Sequence, residues 1–184
     1  MFARTDRLLL RPGWAEDAPA LHAAIAEPAV VRNLARAPWP YRLTDAQAFL
    51  AGADTPLPTC LMFARTHGAP RLVGGVGLHP AADGRIELGF WVARRFWGLG
   101  YATEAGQAML AAARDTLRLS TIEAVHFVDN PAAGQVLHKL GFRPIGCPAP
   151  RFSAGRGEAA PSRRYISDGD GMPCDGDMPQ LKAA

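Results

Sequence analysis

Three features of the sequence predict an α/β (α+β) domain. Strand-like runs joined by turn signals fill residues 60–92, a glycine-rich turn at 94–101 leads into a long helical segment, and a strand-helix-strand order follows from 121 to 167. Along the chain this gives about six or seven strands and about four helices. They form a single domain over 1–167, followed by a tail, 168–184, in which Asp, Gly, Met and Pro dominate without apolar periodicity and which reads as disordered.

Residues 8–11 form a short apolar strand closed by Pro12-Gly13, and 17–27 carry Leu21 and Ile25 at helical spacing. After the Pro-rich aromatic loop at 37–41, Thr44 is placed to cap a second helix through Asp45, Phe49 and Leu50, ending at Gly52. Strands at 60–65 and 72–78 flank His67-Gly68-Ala69-Pro70. A second turn, Ala81-Ala82-Asp83-Gly84, leads into a third strand at 85–92, so three consecutive antiparallel strands are expected. In the third, alternation puts Ile86, Leu88, Phe90 and Val92 on one face and Glu87 with Trp91 on the other.

The helix at 102–117 carries Ala, Met and Leu on several faces, as a largely buried helix does. Residues 121–128 return to the sheet. Asn130-Pro131 opens another helix that turns Val136, Leu137 and Leu140 inward and stops at Gly141. Final strands are expected at 142–145 and 163–167.

The chain has 184 residues, 48% of them hydrophobic, with 20 Lys+Arg against 17 Asp+Glu and a net charge of +3. A domain of this size folds without a metal or disulfide staple. Cys60, Cys147 and Cys174 are scattered and odd in number, which points to free thiols in a reducing compartment. The apolar run near the start, 8–10, is too short for a signal peptide, and no stretch approaches the ~18 apolar residues of a membrane span, so a cytoplasmic, non-membrane protein is expected. All cations except Lys139 and Lys182 are arginines, scattered rather than striped, which argues against nucleic acid as partner. Asp168-Gly169-Asp170-Gly171 lacks the glycine spacing and closing glutamate of a calcium loop, and no metal is expected.

Chemistry concentrates in Arg94-Arg95-Phe96-Trp97-Gly98-Leu99-Gly100-Tyr101-Ala102, between a strand and a helix. Glycines there permit a tight turn with converging N–H groups, and the helix N-terminus behind it favours an anion such as a pyrophosphate. One such interaction contributes only about 0.3–1 kcal/mol when exposed. Micromolar binding needs about 8 kcal/mol, so the rest of the ligand must bind elsewhere. The turn lacks the Gly-Lys-Ser/Thr of a P-loop. Thr103 replaces the third glycine of a dinucleotide fingerprint, and the preceding strand belongs to a hairpin series.

Arg95-x-x-Gly98-x-Gly100, set after antiparallel strands and before a helix, resembles the pyrophosphate turn of the GNAT acetyltransferase superfamily. Asn130-Pro131-Ala132-Ala133-Gly134-Gln135-Val136-Leu137-His138-Lys139-Leu140-Gly141-Phe142, the opening Arg4-Thr5-Asp6-Arg7-Leu8-Leu9-Leu10-Arg11 and Pro40-Tyr41-Arg42-Leu43-Thr44-Asp45-Ala46 are similar to its RimJ/RimL-type branch. The resemblance spans roughly residues 4–167. It implies a GNAT fold with a mixed, mostly antiparallel sheet and an acetyl-CoA-dependent N-acetyltransferase.

The resemblance further implies that acetyl-CoA lies with its pyrophosphate on the amides of Phe96, Trp97, Gly98, Leu99, Gly100, Tyr101 and Ala102, beside Arg95. Its pantetheine arm would run along the strand ending Phe90-Trp91-Val92, where the backbone near Trp91 and Val92 polarises the thioester carbonyl. Asn130 matches a position that contacts CoA, and it can equally cap the helix that Pro131 begins. The amine then attacks the thioester directly, in a ternary complex. Glu87 matches a strand carboxylate of the branch and is the candidate base. Its other role is a structural carboxylate paired with an arginine. His79 is a second acceptor-side candidate, or simply a turn residue. His126 reads as a satisfied sheet histidine.

Trp39 and Tyr41 match the segment flanking the acceptor and would line its pocket or else cover the core, while Trp14 and Trp97 read as packing residues. The chain departs from family expectation at Ala133 and Leu137, where a serine or a tyrosine commonly protonates the leaving thiolate. Cys147 and Tyr165 lie near the end of the fold and could approach the thiolate, but neither is assigned as the general acid. The branch implies a protein N-terminal α-amine as acceptor. A small-molecule amine is the alternative, as is a non-catalytic acyl-CoA sensor, which Ala133 and Leu137 favour. A homodimer is compatible with the resemblance.

Overall fold

The computed structural model describes residues 1–52, 56–66, 68–81 and 83–167. The expected tail at 168–184, Cys174 and the calcium-like run lie outside the described residues, as do His67 and Ala82 of the two hairpin turns.

One eight-stranded sheet organises the described residues, in the order β1-β2-β3-β4-β5-β6-β8-β7. The strands are β1 (Ala3–Arg4), β2 (Leu8–Arg11), β3 (Thr59–Ala64), β4 (Arg71–Pro80), β5 (Ile86–Val92), β6 (Glu123–Phe127), β7 (Arg143–Ser153) and β8 (Glu158–Ile166). Every pairing is antiparallel except β5 with β6, so the sheet is mixed and mostly antiparallel. Helices α1 (Ala18–Ile25), α2 (Pro28–Val31), α3 (Leu43–Ala51), α4 (Tyr101–Asp115) and α5 (Pro131–Lys139) cover it. None of the described helices is long and apolar enough to cross a membrane.

Alternation along β3 divides the core. Cys60, Met62 and Ala64 point toward α4 and α5, where they meet Leu78, Leu88, Met109 and Leu137. Leu61 and Phe63 point the other way, toward Leu21, Val31, Tyr41 and Ala46 of the α1–α3 layer. In β5, Leu88 with the partly buried Ile86, Phe90 and Val92 joins the first cluster and Trp91 the second, as the alternation predicts.

The structure adds two elements to the expected set and lengthens two others. β1 and α2 are too short, at two and four residues, to carry a periodic signal. The last two strands run 11 and 9 residues and form one long hairpin, well beyond the 142–145 and 163–167 expected from sequence. Prolines and Gly146 hid this hairpin. The sheet tolerates them because β7 is an edge strand and its register shifts at a bulge between Ile145 and Ala149. Thr44 does not cap α3: the helix starts at Leu43, two residues before a Thr44 cap would place it, and the Arg42 N–H donates to the Asp45 carboxylate at 2.7 Å.

Candidate functional site

The parallel pairing of β5 with β6 extends only over Glu87 with Glu123 and Leu88 with Ala124. Beyond Leu88 the two strands separate, and the open wedge between them is the centre of the molecule. The Ala93 N–H donates to the Val73 carbonyl of β4. Backbone groups alternate sides along an antiparallel strand, so the N–H and C=O of Phe90 and Val92 face the wedge while those of Trp91 face Gly75 of β4. Trp91 therefore contributes its indole to the site rather than its backbone. The Val92 carbonyl accepts a 2.7 Å hydrogen bond from the Trp97 indole. Trp97 is 46% exposed and Trp14 is 51% exposed, so neither is the packing residue expected.

Below the wedge lies the glycine-rich turn. The Phe96 and Trp97 amides donate to the Ala93 and Arg94 carbonyls, closing a single 3-10 turn, and so are not available to an anion. The amides of residues 98–103 make no hydrogen bond among the described residues, because a helix leaves its first N–H groups unpaired. The amides left unpaired at the turn are thus those of residues 98–103, against the 96–102 expected to receive an anion. Gly98 (φ 78) and Gly100 (φ 80) adopt left-handed conformations that set the turn, and a Cβ on Gly98 would meet nothing within 4 Å. The turn opens onto space.

A clamp fixes it. The Glu104 carboxylate, in the first turn of α4, accepts hydrogen bonds from the Thr5 hydroxyl (2.5 Å), the Arg7 N–H (2.8 Å) and the Arg7 guanidinium (2.7 Å), and Arg7 also donates to the Leu99 carbonyl (2.8 Å). Burial alone would raise the Glu104 carboxyl, but the hydrogen bonds from Thr5 and Arg7 outweigh it and hold it below the usual carboxylate range. The opening segment around Thr5 and Arg7 is thereby a positioning element for the turn.

A single cavity of about 830 Å³ runs from this turn through the wedge and out between α3 and β7. Its walls include Trp91, Val92, Phe96, Gly98, Gly100, Tyr101, Ala102 and Asn130 at one end and Tyr41, His79 and Glu87 at the other. Trp39, Arg95 and Leu99 are not part of its lining: Trp39 and Leu99 are exposed, and the Arg95 guanidinium lies 4.9 Å from the Phe96 ring centroid. The Asn130 side chain makes no capping hydrogen bond to α5, which leaves it free to face the cavity.

At the other end of the cavity Glu87 is held by Arg151 of β7 through two contacts, 3.1 and 2.7 Å. His79 sits opposite Glu87 in the β4–β5 register. Burial chiefly, with the nearby Arg36 charge, pushes its imidazole down to about 4 against the opposing pull of Glu87, so it is neutral at pH 7. Tyr41 is core, and burial with the Asp45 charge pushes its phenol up to about 12. His126 contacts the Phe127 carbonyl (2.8 Å) and the Tyr165 hydroxyl (3.4 Å), as a satisfied sheet histidine should. Leu137 is 1% exposed, Ala133 presents a methyl to the cavity, and Tyr165 is buried beneath α5.

The tip of the β7–β8 hairpin closes this end of the cavity. The buried Ser153 hydroxyl donates to the Leu34 carbonyl (2.8 Å), the Ala154 N–H to Ala35 (2.9 Å) and the Arg156 Nε to Arg32 (2.7 Å). Arg156 also forms a two-point pair with Asp129, which holds that carboxyl below the usual range. Arg36, Arg151 and the hairpin escaped the sequence reading. The signal that could have found the hairpin is Ala154-Gly155-Arg156-Gly157, a turn at whose end Gly157 has φ 72.

The family of the acetyltransferase (GNAT) domain matches residues 7–143. The uncharacterized N-acetyltransferase YoaA of Bacillus subtilis is 28% identical over 153 residues, covering 77% of this chain and 82% of that protein. Among solved structures, a Vibrio cholerae protein provisionally assigned as a ribosomal-protein-serine acetyltransferase superposes with TM-score 0.72 at 21% identity, covering 90% of this chain and 96% of that one. The microcin C7 self-immunity acetyltransferase MccE, solved with acetyl-CoA and AMP, superposes with TM-score 0.72 at 17% identity, covering 88% and 92%.

Proposed function

The chain belongs to the GNAT acetyltransferase family, and from that premise we propose that it acetylates the N-terminal α-amine of a protein, as the RimJ/RimL-type resemblance implies. It is an acyltransferase that uses acetyl-CoA. The carrying observation is the continuous cavity that joins an anion-binding turn to a carboxylate–imidazole end across an open strand edge.

The residues present fit acetyl-CoA. The amides of residues 98–103 and the N-terminus of α4 would hold the pyrophosphate. The outward-facing Phe90 and Val92 backbone would pair with the pantetheine arm, with the Val92 N–H available to polarise the carbonyl. Acetyl-CoA supplies an activated acyl group as a thioester.

What favours an α-amine is the weakness of the acceptor end as a base. His79, at about 4, takes no proton near neutrality. Glu87 already holds Arg151. A carboxylate has about four acceptor positions, so the two that Arg151 leaves can receive and orient an ammonium. Deprotonating a lysine-like amine at pH 7.5 costs about 4 kcal/mol, whereas an α-amine with a pKa of about 7.7–8.0 costs well under 1 kcal/mol. A site with Glu87 as orienting base suits the second. The amine nitrogen bonds to the acyl carbon, loses its proton toward Glu87 or water, and the C–S bond breaks. With Leu137 and Ala133 unable to donate a proton, CoA leaves as thiolate, which a thiol of pKa near 8.5 permits. A protein acceptor is in keeping with the ribosomal-protein assignment of the Vibrio cholerae neighbour.

The test is release of CoA thiol from acetyl-CoA with peptides bearing free N-termini, the same peptides blocked, and small primary amines, with acceptor mass as the check. Release that disappears on blocking is the expected result. Release with small amines alone overturns the α-amine reading, and silence with all three despite acetyl-CoA binding makes the protein an acyl-CoA sensor.

A further inference from the structure

Four ionic side chains line the acceptor end of the cavity: Glu87, Arg151, Asp45 and Arg36. Glu87 and Arg151 satisfy each other. Asp45 accepts the Arg42 N–H at the start of α3, where helix polarity favours an anion. The Arg36 guanidinium alone makes no ion pair or hydrogen bond among the described residues, although neighbouring arginines, Arg32 and Arg156, are both tied to Asp129. Its segment is not loose: the Ser153 hydroxyl and Ala154 N–H bind the Leu34 and Ala35 carbonyls immediately before it. The result is one exposed positive charge without a direct partner, anchored in the lining of the same pocket as the Glu87 carboxylate.

We infer that Arg36 selects acceptors that carry a carboxylate close to their amino group, the amine seated on Glu87 and the acid on Arg36. This rests on the acetyl-transfer reading of the same cavity and specifies its substrate. A peptide beginning with a small residue followed by Glu or Asp has this arrangement. Polycationic amines are rejected, because the same guanidinium repels them. His79, opposite Glu87 in the strand register and neutral at pH 7, adds no second positive charge beside it.

Three peptides that differ only at their second residue, Ser-Glu, Ser-Gln and Ser-Lys, test the inference. The expected order of kcat/KM is Glu over Gln over Lys, with about a fivefold step at each change, the size of one partly exposed charge contact. Arg36→Gln should level the order, and Arg36→Glu should reverse it, which a merely structural arginine would not do. Equal rates for the three peptides, or an order unchanged in Arg36→Glu, overturns the inference. Peptide affinity for the CoA-saturated protein, measured by calorimetry, reads the same order without turnover. If no peptide is acetylated yet binding follows the order, the inference stands and the α-amine acetylation reading falls. If binding is absent or indifferent to the second residue, the inference falls by itself.

Discussion

The two ends of the cavity are built in opposite ways. The end proposed to hold the nucleotide would take its donors from one contiguous run, residues 98–103, as backbone amides that almost any residue supplies equally well, provided two glycines bend the chain. The end proposed for the acceptor draws Arg36, His79, Glu87 and Arg151 from the loop after α2, from β4, from β5 and from β7, and the polar groups proposed to act there are all side chains. Backbone recognition makes the first end tolerant of drift outside the glycines. Side-chain recognition makes the second end adjustable one residue at a time, which is how a fold can keep one co-substrate while exchanging acceptors.

Gly98→Val should break the nucleotide end most severely. A β-branched residue at φ 78 is strained and would crowd the open cradle, so acetyl-CoA affinity should fall about a hundredfold or more, with a stability loss of only about 1–2 kcal/mol because nothing packs against that position. Calorimetric titration with acetyl-CoA checks it, and unchanged affinity would remove the turn from the site. Glu87→Gln should break the acceptor end alone: turnover of an α-amine peptide drops by about a hundredfold while acetyl-CoA binds as before. Equal turnover would leave Glu87 a structural partner of Arg151.

The smallest effect sharpens the contrast through pH. The folded pKa of His79, about 4, is depressed from its ordinary 6.5, so the unfolded chain binds more protons between these values. His79 therefore imposes no protonation penalty above pH 6.5 and destabilises the fold progressively as pH falls from 6.5 toward 4. His126, also lowered, adds to the same slope. In His79→Gln the urea midpoint should decline less steeply over that interval, and a slope identical to the parent's would show that His79 titrates normally.

The unequal legibility of the two ends follows from the same contrast. The glycine turn, the helix behind it and the strand before it are neighbours in sequence, so local rules found them, as they found the alternation of Glu87 and Trp91 in β5. The amide set shifted from 96–102 to 98–103 because the 3-10 turn claims the first two donors, a detail of hydrogen-bond closure that no residue pattern reports. Arg151 could not be found, since its partner lies 64 residues away and its strand carries Pro144, Pro148 and Pro150. Glu87 was legible as a carboxylate facing the site, but only the folded hairpin reveals that its partner is Arg151.

Those same prolines act beyond the site. Pro150 faces Pro161, whose carbonyl turns inward to accept the Val128 N–H, so the Pro150 nitrogen lies along the outer rim of the sheet and offers no hydrogen to an incoming strand. With a bulge at Gly146 twisting the same border, β7 is a poor template for edge-to-edge growth. The outermost strand that closes the acceptor pocket is thus also a guard against aggregation, allowing an eight-stranded sheet to end without recruiting a ninth strand from another molecule.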